Sequence, residues 1–206
     1  MASIPHSQLN QVKKLYYKQR LSVSAVAITL KCSVDAAYYF MRRNGLTRRN
    51  GKEHSKVRFE SKPNTFNIKQ RFSRQEELLC MAGTMLYWGE GFQSVEASGV
   101  DFSNSKPEMV LLFLNFLRTI CGVQESKLRA YLYCYSNQNS GELIEFWSKR
   151  TKIPKKQFTK PYIRSDFDKA KIDKMKYGLL HVRYYDIKLL QVIRNWIEKY
   201  ANKFGK

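Results

Sequence analysis

Residues 73–91, SRQEELLCMAGTMLYWGEG, combine the start of a helix, an apolar helical repeat and a glycine-flanked acid. Ser73 and Glu76 have the spacing of a capping box, in which each side chain accepts a hydrogen bond from the backbone of the other residue. Leucine, methionine and alanine then recur three and four residues apart, which is the period of a helix with an apolar face. The segment therefore predicts a helix that opens at Ser73 and stops at the sequence Gly-Glu-Gly, residues 89–91.

The chain beyond this helix alternates strand and helix patterns. The predicted elements are a strand at 99–103, a helix at 109–121 opened by a Ser105/Glu108 capping box, a strand at 129–135, a helix at 141–150, an edge strand at 158–164 that contains Pro161, a strand at 178–185 and a last helix capped by Asp186. Helices separated by antiparallel strand pairs predict an α+β domain over residues 73–206, with the helices on one face of the sheet.

The N-terminal residues predict a separate, all-helical domain over residues 1–46. Apolar side chains repeat at helical spacing in 8–19 and 24–30, and Ser33 is a suitable N-cap for a third helix that ends at Gly45. In that third helix, Val34, Ala37 and Met41 share one face. Residues 47–72 are polar and hold few core-forming side chains, so they are expected to be a linker.

The charge balance points to a polyanionic partner. The chain has 37 Lys and Arg against 17 Asp and Glu, a formal net charge of +20. Double-stranded DNA is the expected partner, and a membrane surface is the competing explanation. No apolar run reaches the roughly 18 residues of a membrane-spanning helix, and the N-terminus lacks the pattern of a signal peptide, so we expect no membrane partner and a cytoplasmic location.

The sequence offers no signal for a small-molecule substrate. It contains no phosphate-cradling glycine-rich loop and no nucleotide-binding fingerprint. The four cysteines, at positions 32, 80, 121 and 134, lack the short spacing of a zinc site and are expected to be reduced thiols in or near the core.

The third N-terminal helix carries candidate DNA-reading side chains. These are Asp35, Tyr38, Tyr39, Arg42 and Arg43, and residues 1–56 hold 11 Lys and Arg against 2 Asp and Glu. The segment 21–46, LSVSAVAITLKCSVDAAYYFMRRNGL, resembles the helix-turn-helix of resolvase- and transposase-type proteins. That resemblance implies a helix that enters the major groove, and a helical bundle for protein contacts is the alternative.

A second candidate surface lies on the predicted sheet. In the strand 129–135, the side chains that share one face are Arg129, Tyr131, Tyr133 and Tyr135, and in the strand 178–185 they are His181, Arg183 and Tyr185. Neither set contains an acid. Arginine can read guanine edges and tyrosine can contact phosphates, which favours DNA binding. A solvated face, with tyrosine present for its strand propensity, is the alternative.

The sequence GTMLYWGEG at 83–91 resembles the signature helix of the LAGLIDADG homing endonucleases. The resemblance covers about 130 residues and implies an α-β-β-α-β-β-α domain with an antiparallel, saddle-shaped sheet, and a homodimer in which two signature helices pack side by side. It also implies that Glu90 is the catalytic metal ligand, with Mg²⁺ as the cofactor. The large Met85, Tyr87 and Trp88 depart from the family pattern, whereas Gly83, Thr84 and Gly89 are small enough for close helix packing.

Metal-assisted phosphodiester hydrolysis is reasonable chemistry for such a carboxylate, because a bound cation lowers the pKa of a water and stabilises the charge of the transition state. Lys176 or Arg183 is the candidate cation near the scissile phosphate, and Asn104 or Gln93 is the candidate for orienting water. The alternative interpretation of Glu90 is an acidic residue in a glycine-rich turn.

Two functional hypotheses follow from these patterns. The first is a site-specific double-stranded DNA endonuclease, and the second is a non-cleaving, DNA-binding transcriptional regulator on the same scaffold. A membrane-surface or RNA-binding protein is a third class, which the placement of the tyrosines on a folded sheet disfavours.

Overall fold

The computed structural model describes residues 4–165 and 175–205, and it divides the chain into two compact units between Pro63 and Asn64. The described part of the first unit is helical. The second unit combines helices with a sheet, so the predicted α+β class is confirmed for this part of the chain.

The first unit contains helices α1 (Leu9–Lys13), which continues as a π-helical turn (Lys14–Lys18), α2 (Val23–Thr29), α3 (Val34–Arg43) and α4 (Gly51–Ser61). Ser22 and Ser33 accept hydrogen bonds from backbone N–H groups in the first turns of α2 and α3, both at 3.1 Å, which is the N-cap arrangement. The buried core of the unit consists of Val12, Leu15, Tyr16, Val23, Val26, Ala27, Ala37, Phe40, Met41 and Leu46.

The inner face of α3 differs from the predicted one at a single position. Ala37 and Met41 are buried as expected, but Val34 is 38% exposed and Phe40 is buried in its place. Val34 is the first residue of the helix, so it lies at the edge of the packed surface. Phe40 lies three residues beyond Ala37 and therefore shares its face.

The segment 47–72, expected to be a linker, instead contributes to both units. Its first part forms α4, which opens with a capping box between Asn50 and Glu53. Arg49 holds this part on the first unit, because its guanidinium lies 4.1 Å from the Tyr16 ring centre and donates to the carbonyl of Leu21 at 3.0 Å. The polar composition of this segment did not predict these contacts, because they are made by a capping box and an arginine and not by apolar side chains.

The second part of that segment belongs to the second unit. The backbone N–H of Asn67 donates to the carbonyl of Cys121 at 3.1 Å, and Phe66 pairs with Val123 in an isolated bridge. The Thr65 hydroxyl donates to the Asp186 carboxylate at 2.7 Å. The second unit therefore begins about nine residues before the predicted boundary at Ser73.

The described residues of the second unit contain α5 (Arg74–Glu90), β1 (Val100–Asn104), α6 (Pro107–Thr119), β2 (Arg129–Tyr135), α7 (Ser140–Thr151), β3 (Tyr162–Arg164), β4 (Leu179–Tyr184) and α8 (Ile187–Phe204). The capping box between Ser73 and Glu76 at the start of α5 is present as predicted. The box predicted for Ser105 and Glu108 is wrong, because α6 starts at Pro107 with Lys106 as its N-cap. Proline fixes the backbone at the first helical position, and the N-cap therefore falls one residue later than predicted, at Lys106 instead of Ser105.

The four strands described in this unit form one sheet in the order β1-β4-β2-β3. β4 pairs antiparallel with both β1 and β2, but β3 runs parallel to β2. The sheet is therefore mixed, and the prediction of an antiparallel sheet is wrong at this edge. After α7 the chain returns beside the start of β2, where the Thr159 N–H donates to the carbonyl of Ala130 at 2.9 Å, and it then runs on in the direction of β2 as β3.

One face of the sheet is covered by helices. Phe102 stacks on Phe113 of α6, with ring centres 4.3 Å apart, and Tyr87 of α5 stacks on the same ring at 5.7 Å. The other strand residues buried on this side of the sheet are Val100, Asn104, Ala130, Leu132, Cys134, Leu180, Val182 and Tyr184. Because side chains alternate along a strand, burial of this set leaves the intervening residues on the opposite face.

Gly83 sets how closely α5 approaches α6. A Cβ atom at this position would lie less than 3.0 Å from three atoms of the Phe116 side chain, whereas a Cβ at Gly89 of the same helix would meet nothing within 4 Å. Phe116 is fully buried and cannot move aside without disturbing the core.

We expect Gly83→Ala to lower the free energy of unfolding of the full chain by about 1–3 kcal/mol, the usual effect of overpacking. Gly89→Ala is the matched control and should leave it unchanged or raise it by up to about 1 kcal/mol, because alanine favours the helical state. Chemical denaturation followed by circular dichroism measures both, and equal behaviour of the two variants would contradict the packing argument.

Candidate nucleic-acid interface

The sheet face opposite the helices carries a cluster of aromatic and charged side chains. Strand pairing places Arg129 opposite Arg183 and Tyr131 opposite His181 on β2 and β4, and Tyr133 beside Tyr162 on β2 and β3. All of these except Tyr162 are half-buried, and Tyr162 is exposed. The sheet thus brings the predicted residues of β2 and β4 together on one face, as the strand alternation requires.

The aromatic rings of this face are packed against one another. The Tyr131 and Tyr133 ring centres lie 4.8 Å apart in an edge-on arrangement, and the Tyr133 ring lies 5.1 Å from Tyr162 and 4.7 Å from His181. These separations are those of favourable aromatic pairs. The rings therefore form a continuous apolar strip, from here on the tyrosine strip, defined by Tyr131, Tyr133 and Tyr162.

Asp101 lies on this face too, which the sequence interpretation missed. β1 places it opposite Arg183 on β4, where one carboxylate oxygen accepts from Arg183 Nε at 2.8 Å and the other lies 2.9 Å from His181 Nδ1. The signal was present in the sequence, because Asp101 stands between Val100 and Phe102, whose alternation predicted the strand. If those two point inward, Asp101 must point outward.

The side chains of Asp101, His181 and Arg183 interact electrostatically, and these interactions shift the pKa values of Asp101 and Arg183. Burial by itself would raise the pKa of Asp101, but the hydrogen bond and positive charge of His181 and the guanidinium of Arg183 outweigh it and lower that pKa below its ordinary value. Burial likewise opposes the charged form of Arg183, but the Asp101 carboxylate outweighs it and raises the pKa of Arg183. Asp101 and Arg183 are consequently an ion pair across the working pH range.

The hydrogen bond to Asp101 fixes the proton of His181. An ionised carboxylate only accepts, so His181 Nδ1 carries the proton of this hydrogen bond. His181 Nε2 is buried and has no hydrogen-bond partner among the residues that the structure describes.

Arg183 is held in one plane. Its guanidinium carbon lies 4.6 Å from the centre of the Tyr131 ring, a cation–π distance. With Nε donating to Asp101 at 2.8 Å, two contacts restrict both the position and the orientation of the guanidinium.

Two predicted site residues, Tyr135 and Asn104, lie apart from this cluster, and Tyr185 lies at its border. Tyr135 continues the β2 alternation but is only 7% exposed, with the Arg164 guanidinium 5.7 Å from its ring centre. Tyr185 lies just past the end of β4, is exposed and interacts with the Arg183 side chain. Asn104 points to the helix-covered side of the sheet, where its side-chain oxygen accepts from the Lys106 backbone at 2.9 Å.

The two candidate cations for a scissile phosphate are separated along β4. Lys176 is exposed in the turn before the strand, and Arg183 is the fifth residue of the strand. The four steps from Leu179 to Arg183 alone span about 13 Å. The two side chains are therefore too far apart to contact the same phosphate, and only Arg183 belongs to the cluster around Asp101.

Glu90 is the last residue of α5 and is exposed. The next two residues join the edge of the sheet, because Gly91 bridges Phe102 and the Phe92 N–H donates to the Asp101 carbonyl at 2.8 Å. Gln93 donates through its side chain to the Tyr87 carbonyl at 3.0 Å. In the described parts of the chain, no three His, Cys, Asp or Glu side chains converge on a point, so a cation at Glu90 would need further ligands from beyond these residues.

The third helix of the first unit presents the predicted reading residues to solvent. Asp35, Tyr38, Tyr39, Arg42 and Arg43 are all exposed on α3. The guanidinium of Arg42 lies 5.8 Å from the Tyr39 ring centre, and that of Arg48 lies 5.2 Å from the Tyr38 ring centre. These side chains form a basic and aromatic surface on the outer side of the helix.

Comparison of this chain with models of protein families, with curated proteins and with solved structures gave no match. Within the described residues, no helix is both long and apolar enough to cross a membrane.

We expect Asp101→Asn to lower the free energy of unfolding at pH 7 by about 1–3 kcal/mol, because it breaks two hydrogen bonds to a charged acceptor. A lowered native pKa stabilises the fold above the ordinary pKa of an aspartate and ceases to do so as the pH falls through the native value. The difference between wild type and variant should therefore shrink below about pH 4.

Denaturation at a series of pH values measures this difference. The exposed Glu96 supplies a control, since Glu96→Gln should change stability by less than about 0.5 kcal/mol. A deficit of Asp101→Asn that stays constant from pH 7 to pH 3 would show that its carboxylate charge does not stabilise the sheet.

Proposed function

We propose that this protein is a site-specific double-stranded DNA endonuclease of the LAGLIDADG type, with a helix-turn-helix as its second DNA-reading module. The element order supports the proposal when the one-residue bridge at Gly91 is counted as a short strand. The second unit then follows the order α-β-β-α-β-β-α, with α7 and β3 inserted after β2. The LAGLIDADG resemblance implies the order α-β-β-α-β-β-α, and the insertion of α7 and β3 departs from that order.

The observation that carries the proposal is the uncovered sheet face with the tyrosine strip. A sheet face that is aromatic and basic and left open by the helices is suited to the major groove, because arginine forks match base edges and tyrosine hydroxyls match phosphates. The net charge of +20 supplies the non-specific attraction to the duplex. The exposed face of α3 offers a second surface of the same kind.

Glu90 is the residue proposed to hold Mg²⁺. Its carboxylate is exposed at the end of α5, between glycines, beside the sheet edge that leads to Asp101. Mg²⁺ takes oxygen ligands and commonly uses one or two carboxylates together with waters and phosphates. A single glutamate in each chain of a homodimer, with the DNA phosphates, meets that need, and the cation would lower the pKa of a bound water.

The homodimer is supported by an apolar stripe along the outer side of α5. Leu78, Ala82, Met85 and Gly89 repeat at helical spacing and are exposed or half-buried. Gly83 packs against Phe116 of α6 and Thr84 is fully buried, so the small residues available to a second helix are Ala82 and Gly89. Tyr87 is fully buried as well, and its size is therefore no obstacle to pairing.

A groove continues this stripe toward α6. It has a volume of about 350 Å³ and is lined by Ala82, Leu86, Glu108, Met109 and Leu112. A helix of a second copy packed on α5 would fill it and would bring the two Glu90 carboxylates toward a common axis.

The second candidate function is a DNA-binding regulator that does not cut. Two observations favour it: Glu90 has no partner acid in a converging cluster of the described residues, and the bulky Trp88, 49% exposed, borders the stripe on α5. Both functions use the same sheet face and the same α3 surface, so cleavage decides between them.

We expect the wild-type protein to linearise a plasmid carrying its selected site when Mg²⁺ is present, and Glu90→Gln to bind that site with unchanged affinity but to cut at least about 100-fold more slowly. The carboxamide keeps the shape of the side chain and removes the charge that holds the cation. Gel analysis of the plasmid and a binding titration in EDTA give the two readouts.

Glu96→Gln is the matched control, because Glu96 is an exposed acid in the loop that follows α5. It should cut at the wild-type rate. Tight, selective binding by a wild-type protein that never cuts would establish the regulator instead, and equal cutting by Glu90→Gln would remove Glu90 from the mechanism.

We expect Ala82→Glu to weaken the dimer on the order of 100-fold, because a carboxylate would be buried without a partner in the α5–α5 contact. Gln191→Glu places the same charge on an exposed site of α8 and should leave the dimer intact. Sedimentation across a concentration series measures both, and a wild-type protein that stays monomeric at all concentrations contradicts the proposed assembly.

A further inference from the structure

We infer that Asp101 is a positioning residue that holds Arg183 in place to read a guanine through the major groove. The inference rests on the proposed contact between the sheet face and DNA, but it is independent of cleavage. It assigns a base preference to Arg183. It also gives a role to Asp101, whose negative charge would otherwise only oppose the binding of DNA to this surface.

The first support is geometric. Arg183 donates through Nε to Asp101 at 2.8 Å, its plane lies over Tyr131, and its side chain also interacts with Tyr185. An arginine has five N–H donors, four of them on the two terminal nitrogens. With one donor given to Tyr185, three terminal donors remain, and a guanine requires two for its O6 and N7.

The second support is electrostatic. Asp101 and Arg183 together carry no net charge, and a phosphate brought to Arg183 would meet the Asp101 carboxylate a few ångströms behind it. Like charges at that separation repel strongly when partly shielded from water. The edge of a base carries no net charge and escapes this repulsion, so the ion pair directs Arg183 toward bases rather than phosphates.

Arg129 shows the contrast on the same face. It lies directly across from Arg183 in the β2–β4 register, but its guanidinium donates to the backbone carbonyls of Ser126 and Leu128, both within 2.8 Å. Carbonyls hold the side chain without neutralising it. Arg129 therefore keeps its full charge for a phosphate, and it is the natural control for Arg183.

A purely structural salt bridge is the competing explanation for Asp101. Loss of a structural bridge would weaken binding to every duplex in proportion, because less protein would be folded correctly. Loss of a positioning contact would reduce discrimination at one base pair only. In addition, removal of a negative charge from the face should leave the affinity for unrelated DNA unchanged or raise it.

The experiment starts from a binding site selected with the full-length wild-type protein from a randomised duplex library, in EDTA so that no cutting occurs. Dissociation constants are then measured for that duplex, for its single-base-pair substitutions and for a scrambled duplex. Wild type should prefer guanine at one position by about 5- to 150-fold, the discrimination of one bidentate pair. Arg183→Lys, which keeps the charge and loses the fork, identifies that position by losing the preference.

Asp101→Asn should reduce the preference at the same position by about threefold or more, because an amide offers one acceptor oxygen to two donors. Its affinity for the scrambled duplex should stay the same or rise. Arg129→Ala should weaken binding to all of these duplexes by a similar factor and leave the guanine preference intact.

Three outcomes overturn the inference. Unchanged discrimination in Asp101→Asn or in Arg183→Lys removes it and leaves the proposed function standing. A proportional loss of affinity for all duplexes in Asp101→Asn makes the residue structural. A wild-type protein with no preference for any duplex over the scrambled one removes the inference and the proposed function together.

Discussion

Burial of one face of the sheet is the constraint from which the rest of the second unit follows. The residues Phe102, Leu132 and Val182 are fully buried beneath the helices. Because side chains alternate along a strand, the neighbouring Asp101, Tyr131 and Arg183 must lie on the open face. A shift of one residue in any strand would exchange the two sets and place charges in the core. The position of every side chain in the proposed DNA contact is therefore determined by packing on the far side of the sheet.

The same constraint explains how a carboxylate is tolerated on a basic surface. Strand pairing brings Asp101 within hydrogen-bond distance of two donors on β4, so its negative charge is neutralised locally and it gives direction to its neighbours. Net charge brings a duplex to the protein at long range, but it cannot align a fork with a base. An acid that fixes an arginine slightly reduces the long-range attraction, but it aligns the guanidinium with a base. This alignment distinguishes a surface that recognises a DNA sequence from one that only attracts DNA.

The sequence predicted what local patterns determine. The helix from Ser73 to the Gly-Glu-Gly sequence, the strand at 129–135 and the cap at Asp186 are all present, because each depends on alternation or on a cap within a few residues. What it missed depends on distant partners: the parallel pairing of β3 and the packing of 64–72 against Val123 come from contacts between segments far apart in the chain. Asp101 is a different case, because the alternation of β1 is a local pattern and is sufficient to place its carboxylate on the open face.

The same distinction applies to α5, where two uses compete for the small residues of one helix. Gly83 is needed for packing within the unit, because no side chain fits between its backbone and Phe116. Thr84 is fully buried as well, and its hydroxyl donates to the Cys80 carbonyl at 2.6 Å. The outer stripe is left with Ala82 and Gly89 as its small positions, seven residues or two turns apart. That spacing allows a second helix to approach closely at both positions, with Met85 between them. The contact at Gly89 would lie beside Glu90, where two carboxylates and one cation could offset each other's charge.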